Sequence, residues 1–123
     1  MRRLKVFFDG GCRPNPGTME LAVVVAGRTT IVADAGHGTS TDAEWLALIE
    51  ALTIVRALGA ADYVLLGDSA DVVAKANAPR SDRITGHRAR FHALAAAGDR
   101  PRVRRIPRAQ NLAGIALART HGR

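Results

Sequence analysis

The chain has 123 residues, with 18 Lys and Arg against 11 Asp and Glu, a formal charge of +7, 47% hydrophobic residues and 24% charged ones. That balance predicts one globular domain over residues 1–123, and no apolar run reaches the ~18 residues a membrane-spanning helix needs. A lone cysteine, Cys12, excludes an internal disulfide and a cysteine-based zinc site. The start MRRLKVFF resembles the opening of a signal peptide, but the acid at position 9 ends its apolar run too early, so a cytoplasmic protein is expected; no protein partner is implied, and a monomer is expected.

The charge is not spread evenly. Residues 1–74 hold six bases and nine acids and residues 75–123 hold twelve bases and two acids, so the C-terminal part alone makes the chain basic. Sixteen of the eighteen bases are arginine, whose planar fork suits bidentate phosphate contacts, and a phosphate-rich partner follows. A GC-rich genome that writes arginine at any positive surface position is the competing account, since charge alone identifies no partner.

The first element is LKVFFDGGCRPNPG, residues 4–17. Leu4, Val6 and Phe8 on one face and Phe7 on the other predict a central strand buried on both sides. Gly10, Gly11, Pro14, Pro16 and Gly17 should stop it, which puts Asp9 at its C-terminal end. Such an acid either hydrogen-bonds its own turn or belongs to a site. Two β-branched runs follow, LAVVVA at 21–26 and TTIVADA at 29–35, with Gly27 and Arg28 as the hairpin turn between them. The three strands should form an antiparallel meander closed by Gly36, His37 and Gly38.

From Thr41 the period changes to three and four residues, through Trp45, Leu48, Leu52 and Val55, which predicts a helix lying on the sheet. Thr41 to Glu44 fits a capping box, in which Glu44 would only reach back to the first turn. Glu44 also shares the inward stripe with Leu48, Ala51 and Val55, from which it would reach the end of the sheet. Gly59 ends the helix, YVLLG at 63–67 is a fourth strand, and Asp68 with Ser69 closes it. A helix between strands implies a parallel crossover, so Asp9 and Asp68 should emerge at one edge. A short helix through Val72, Val73 and Ala76 is capped by Ser69 or Asp68, a modest helix covers 88–97, and 103–106 is a fifth strand among arginines. Asn111 caps a last helix through Leu112, Ile115 and Leu117. The result is a mixed α/β fold on a five-stranded sheet.

Asp9, Glu44 and Asp68 thus converge. Three carboxylates suit one or two hard divalent cations, and a two-metal site is suited to phosphodiester hydrolysis. His37, His87, His92 and His121 show no zinc spacing, and His121 alone falls near the last helix face that carries Gly114.

Taken together, FFDGGCRPNPG, TSTDAEWLALIEAL, LLGDS and IPRAQNLAGIALAR resemble, in order and spacing, the motifs of the type 1 ribonuclease H family over nearly the whole chain. The resemblance implies the ribonuclease H fold with strand order 3-2-1-4-5. It further implies Mg²⁺- or Mn²⁺-dependent hydrolysis of the RNA strand of RNA/DNA hybrids to 5′-phosphomonoester products. Asp9, Glu44 and Asp68 match the family's first three metal-binding acids. Gly11, Cys12 and Asn15 match its minor-groove turn, where a 2′-hydroxyl distinguishes RNA from DNA. Ser40 and Thr41 stand where two asparagines are usual, and Ala70 where many members have glutamine. Arg104, Arg105 and Arg108 are the expected phosphate contacts. No basic protrusion and no histidine before the final helix are present, as in the compact archaeal-like subgroup.

The largest departure is Gly114, at the position of the fourth acid. Two functions remain open on these residues: an endoribonuclease on hybrids, and a catalytically weak or inactive hybrid-binding module of the same fold. A nuclease of that fold acting on other nucleic acid fits the NPG turn less well. A flavodoxin-like nucleotide-binding domain fits least, because a meander opens the chain and no phosphate-cradling glycine loop precedes a helix.

Overall fold

A computed structural model describes residues 3–122 of the chain, so Met1, Arg2 and Arg123 lie outside the described residues, and with them the start of the segment that resembles a signal peptide. The elements in order are β1 (Leu4–Cys12), β2 (Gly17–Val25), β3 (Arg28–Val32), β4 (His37–Gly38), α1 (Ser40–Ala57), β5 (Tyr63–Gly67), α2 (Ala70–Asn77), α3 (Gly86–Ala96), β6 (Arg102–Arg105) and α4 (Leu112–Thr120). The sheet runs β3-β2-β1-β5-β6, with β1 antiparallel to β2 and parallel to β5, and β5 parallel to β6. This is the expected order once the two-residue β4, which pairs with Gly17 and Thr18 of β2, is set aside.

β1 does not stop at Asp9. It continues through Gly10, Gly11 and Cys12 against Leu21, Glu20 and Met19 of β2, while its pairing with β5 ends at Phe7. The glycines were expected to break the strand, but a partner running to Gly17 supplies the ladder that they themselves do not favour. Asp9 is therefore inside a strand on one side and past the end of the ladder on the other. The hairpin turn also shifts by one residue. It is Ala26-Gly27, at φ 51 and 75, because Val25 pairs with Arg28. Two positive φ values across a two-residue loop match the twist of the strands it joins.

α1 starts earlier than its apolar period suggests. Thr39 is the N-cap: its hydroxyl accepts from the Asp42 amide at 3.1 Å, and Asp42 Oδ2 accepts from the Thr39 amide at 3.0 Å. This reciprocal pair is the capping box, two residues ahead of the expected one, and it leaves Glu44 uninvolved in capping. α2 is capped by Ser69, not Asp68, through the Val72 amide. α3 and β6 begin two residues and one residue before their expected starts, within the usual fraying of such ends.

The sheet buries its two faces unequally. Val6, Phe8, Val23, Leu65 and Val103 pack on α1 through Leu48, Leu52 and Val55, with Phe91 of α3 and Val72 of α2 closing the side. Each such side chain contributes about 1.5–3 kcal/mol on leaving water. On the other face α4 covers Ala22 and Val24 with Ala113 and Leu117, beside Phe7 and Ala116.

Candidate active site

The site forms where both faces meet the β1 edge. Residues alternate along β1, so Gly10 turns toward α1 while Asp9 and Gly11 turn toward α4. Gly10 decides how closely α1 approaches. A Cβ there would overlap the Ala43 carbonyl and stand 2.7 Å from the Glu44 amide nitrogen. With only hydrogen in that place, α1 lies directly on the strand, and the Gly10 amide donates to Glu44 Oε1 at 3.2 Å. Glu44 is 8% exposed, and its other oxygen is buried with no hydrogen-bond partner.

Asp68 enters from the end of β5. Asn111 holds it: the side-chain Nδ2 donates to Asp68 Oδ2 at 3.0 Å and to the Phe8 carbonyl at 3.0 Å, while Oδ1 accepts from the Ala113 amide at 3.1 Å. One fully buried asparagine thus joins β1, β5 and α4 and fixes the direction of a carboxylate. The sequence identifies Asn111 only as a helix cap. Its two longer contacts span 103 and 43 residues, and no local pattern encodes them.

One oxygen each from Asp9, Glu44 and Asp68 lies within 4.8 Å of the others. Burial raises the Asp9 pKa, the neighbouring Asp68 charge raises it further, and Arg108 and the Glu44 contact oppose this. Burial first, then the close approach of Asp9 and the charges of Asp9 and Asp68, push Glu44 up to about 9. Without a cation, the Asp9 and Glu44 pair retains a proton at neutral pH because two ionised carboxylates so close repel. An all-oxygen donor set with an unpartnered buried oxygen fits a hard divalent cation in the proton's place.

The cavity above these acids has a volume of ≈ 470 Å³ and is lined also by Gly11, Cys12, Ser40, Arg108 and Gly114 from the expected set, and by Arg13 and Glu20, which the sequence did not single out. Ser40 is tied to the preceding turn, its amide donating to Asn15 Oδ1 at 3.1 Å. Cys12 lines the cavity, and its buried thiol lies 3.0 Å from the Pro14 carbonyl and 3.2 Å from that of Gly38. Thr41 and Ala70 are exposed and do not line the cavity. Arg104 and Arg105 are exposed on β6 and do not line it either. Gly114 lies in the first turn of α4, and a Cβ there would lie 3.2 Å from Asp9 Oδ2.

Residues 7–121 match the reverse transcriptase-like family. A ribonuclease HI from Halobacterium salinarum is 40% identical over 72 residues, which cover 54% of this chain and 36% of that protein, so the match spans about a third of the relative's length. The crystal structure of ribonuclease H1 from H. salinarum NRC-1 superposes with a TM-score of 0.74 at 32% identity, covering 94% of each chain. The N-terminal ribonuclease H domain of a Mycobacterium tuberculosis protein, solved as a maltose-binding-protein fusion, gives 0.70 at 26% over 100% of both chains. LC11-RNase H1, solved in complex with an RNA/DNA hybrid, shares the fold, with a TM-score of 0.76 at 21% identity over 89% of each chain.

Proposed function

The chain belongs to the type 1 ribonuclease H family, and from that premise we propose that it is a metal-dependent endoribonuclease that hydrolyses the RNA strand of RNA/DNA hybrids. The observation that carries this reading is the meeting of Asp9, Glu44 and Asp68, from three separate elements, around a buried oxygen without a partner. These three acids would hold one or two Mg²⁺ or Mn²⁺ ions. A cation held there supplies activation of the attacking water and stabilisation of the leaving oxygen.

The chain's own residues would do the rest. Gly10 and Asn111 set the directions of Glu44 and Asp68, two of the three acids that would receive a cation. Gly11 presents bare backbone to the cavity, and Asn15 locks the Arg13–Pro16 turn to the start of α1. That turn would meet the ribose 2′-hydroxyls of the RNA strand. Arg13 and Arg108 line the same cavity and offset the charge of an incoming phosphate. Hydrolysis breaks the bond from phosphorus to the 3′ oxygen and leaves a 3′-hydroxyl and a 5′-phosphate. The hybrid-bound structure of LC11-RNase H1 supports the same substrate class on this fold.

Gly114 favours one competing reading, a hybrid-binding module with weak or no turnover. It faces Asp9 at close range and offers no ligand. A cleavage assay on a labelled hybrid, first with Mg²⁺ and then with Mn²⁺, separates the two. The endoribonuclease reading expects metal-dependent cleavage that Asp68→Asn abolishes while the circular dichroism spectrum stays unchanged. Metal-independent cleavage, or an Asp68→Asn variant as fast as the parent, refutes it; hybrid binding without cleavage in either metal establishes the module.

A further inference from the structure

Four carboxylates line the cavity, and the triad accounts for three of them; the fourth is Glu20 of β2. Gly11 pairs with Glu20 and Asp9 with Ala22, so Glu20 and Asp9 rise from the same face of the sheet as diagonal neighbours, two rungs apart along the ladder. Each acid abuts a glycine: a Cβ at Gly11 would lie 3.7 Å from Glu20 Oε2, and one at Gly114 3.2 Å from Asp9 Oδ2, while Ile115, Leu117 and Ala118 of α4 complete the wall. The Glu20 side chain is 17% exposed, a carboxylate largely withdrawn from water. His121, at the end of α4, places Nε2 2.8 Å from its Oε1 and 2.9 Å from its Oε2.

One ring N–H straddling two oxygens occupies part of a carboxylate's roughly four acceptor positions and leaves the others open. A fourth acid beside three is unfavourable unless a cation lies among them, and Arg13 and Arg108 bring only two positive charges to the cavity. Glu44, nine-tenths buried on the same cavity, keeps one oxygen without any partner.

Resting on the reading of this cavity as a metal centre, we propose that Glu20 is its fourth carboxylate, reaching the cation from β2 across the space over Gly114, with His121 holding it at the rim. Glu20 stands outside the group that meets within 4.8 Å. The proposal requires its carboxylate to leave His121 and turn inward by rotation about its side-chain torsions.

Mn²⁺ titration by calorimetry, on the full chain without nucleic acid, tests this. Glu20→Gln should weaken Mn²⁺ binding about 10-fold, the scale on which residues supporting a metal site act. His121→Ala should bind Mn²⁺ at least as tightly as the parent, because Glu20 is then released toward the site. Metal-free melts of both variants report separately what the contact contributes to the fold. If the pair only fastens α4 to β2, Mn²⁺ affinity changes in neither variant or falls equally in both, and either result overturns the proposal. Should Glu20→Gln fail to fold, Glu20→Asp keeps the charge, shortens the reach and carries the same expectation. Asp68→Asn is the control for the site: if it binds Mn²⁺ as the parent does, the metal-centre reading itself fails. If it loses Mn²⁺ while Glu20→Gln keeps it, only the role of Glu20 fails.

Discussion

Beneath α1 the sheet is sealed by Phe8, Leu48, Leu52, Val55 and Phe91, whereas beneath the nine-residue α4 the buried set is Ala22, Val24, Ala113 and Leu117. The deep face holds Glu44 through close packing of α1 on Gly10; the thin face carries Asp9, Gly114 and Glu20, where side chains are small or absent. The contrast separates two jobs. Precision among the three acids comes from the face with least room to move, and the open space of the cavity comes from the face with least bulk.

The largest way to break this contrast is at Gly10. Gly10→Ala places a methyl against the Ala43 carbonyl, and because the obstruction is backbone it cannot rotate away. The variant should lose about 3 kcal/mol or more in urea denaturation, at or beyond the upper end of overpacking costs. It should also lose metal-dependent cleavage, since α1 and Glu44 must move.

A paired truncation sharpens the comparison. Leu52→Ala on the deep face should cost about 4 kcal/mol, and Leu117→Ala on the thin face about 2 kcal/mol, because the latter site can collapse toward its small neighbours. Equal losses would show that α4 is as tightly packed as α1.

The pH dependence of stability follows from Glu44. Its folded-state pKa of about 9 lies above the ordinary 4.5, so the folded chain holds this proton more tightly than the unfolded one. The stability it contributes is complete below about 4.5 and is lost as pH rises to about 9. Asp42, held low chiefly by the Thr39 amide, acts in the opposite sense, its contribution fading only as pH falls below 3.8. In buffer with a chelator, the Tm should therefore decline from pH 5 to pH 9, roughly the window set by that linkage. Glu44→Gln should flatten the decline, as melts at several pH values would show.

The smallest effect is expected at Gly114. Gly114→Asp fits a Cβ at 3.2 Å from Asp9 Oδ2 and adds a charge beside it, while the helix N-terminus favours the new acid by ~0.3–1 kcal/mol. Metal-free stability should change little. A tenfold gain in Mg²⁺ affinity would add about 1.4 kcal/mol at saturation, visible as a larger Mg²⁺-induced rise in Tm and faster cleavage at low Mg²⁺.

The sequence by itself determined the order of the main strands and helices, the antiparallel opening, the parallel return to β5 and the convergence of Asp9, Glu44 and Asp68. Each of these is tied to a short-range signal: an apolar alternation that runs into an acid, a helical stripe with an acid on its inner side, a buried run closed by Asp-Ser. Tertiary structure alone decided the rest. β1 passes through its glycines because β2 offers a partner as far as Gly17, and Thr39 and Asp42, not Thr41 and Glu44, close the capping box. Asn111 becomes the support of Asp68, and Glu20 joins the cavity with His121 across 101 residues. Those contacts depend on strand register and on where α4 lands. A pattern of neighbouring residues carries the period of an element, but not the distance at which two elements meet.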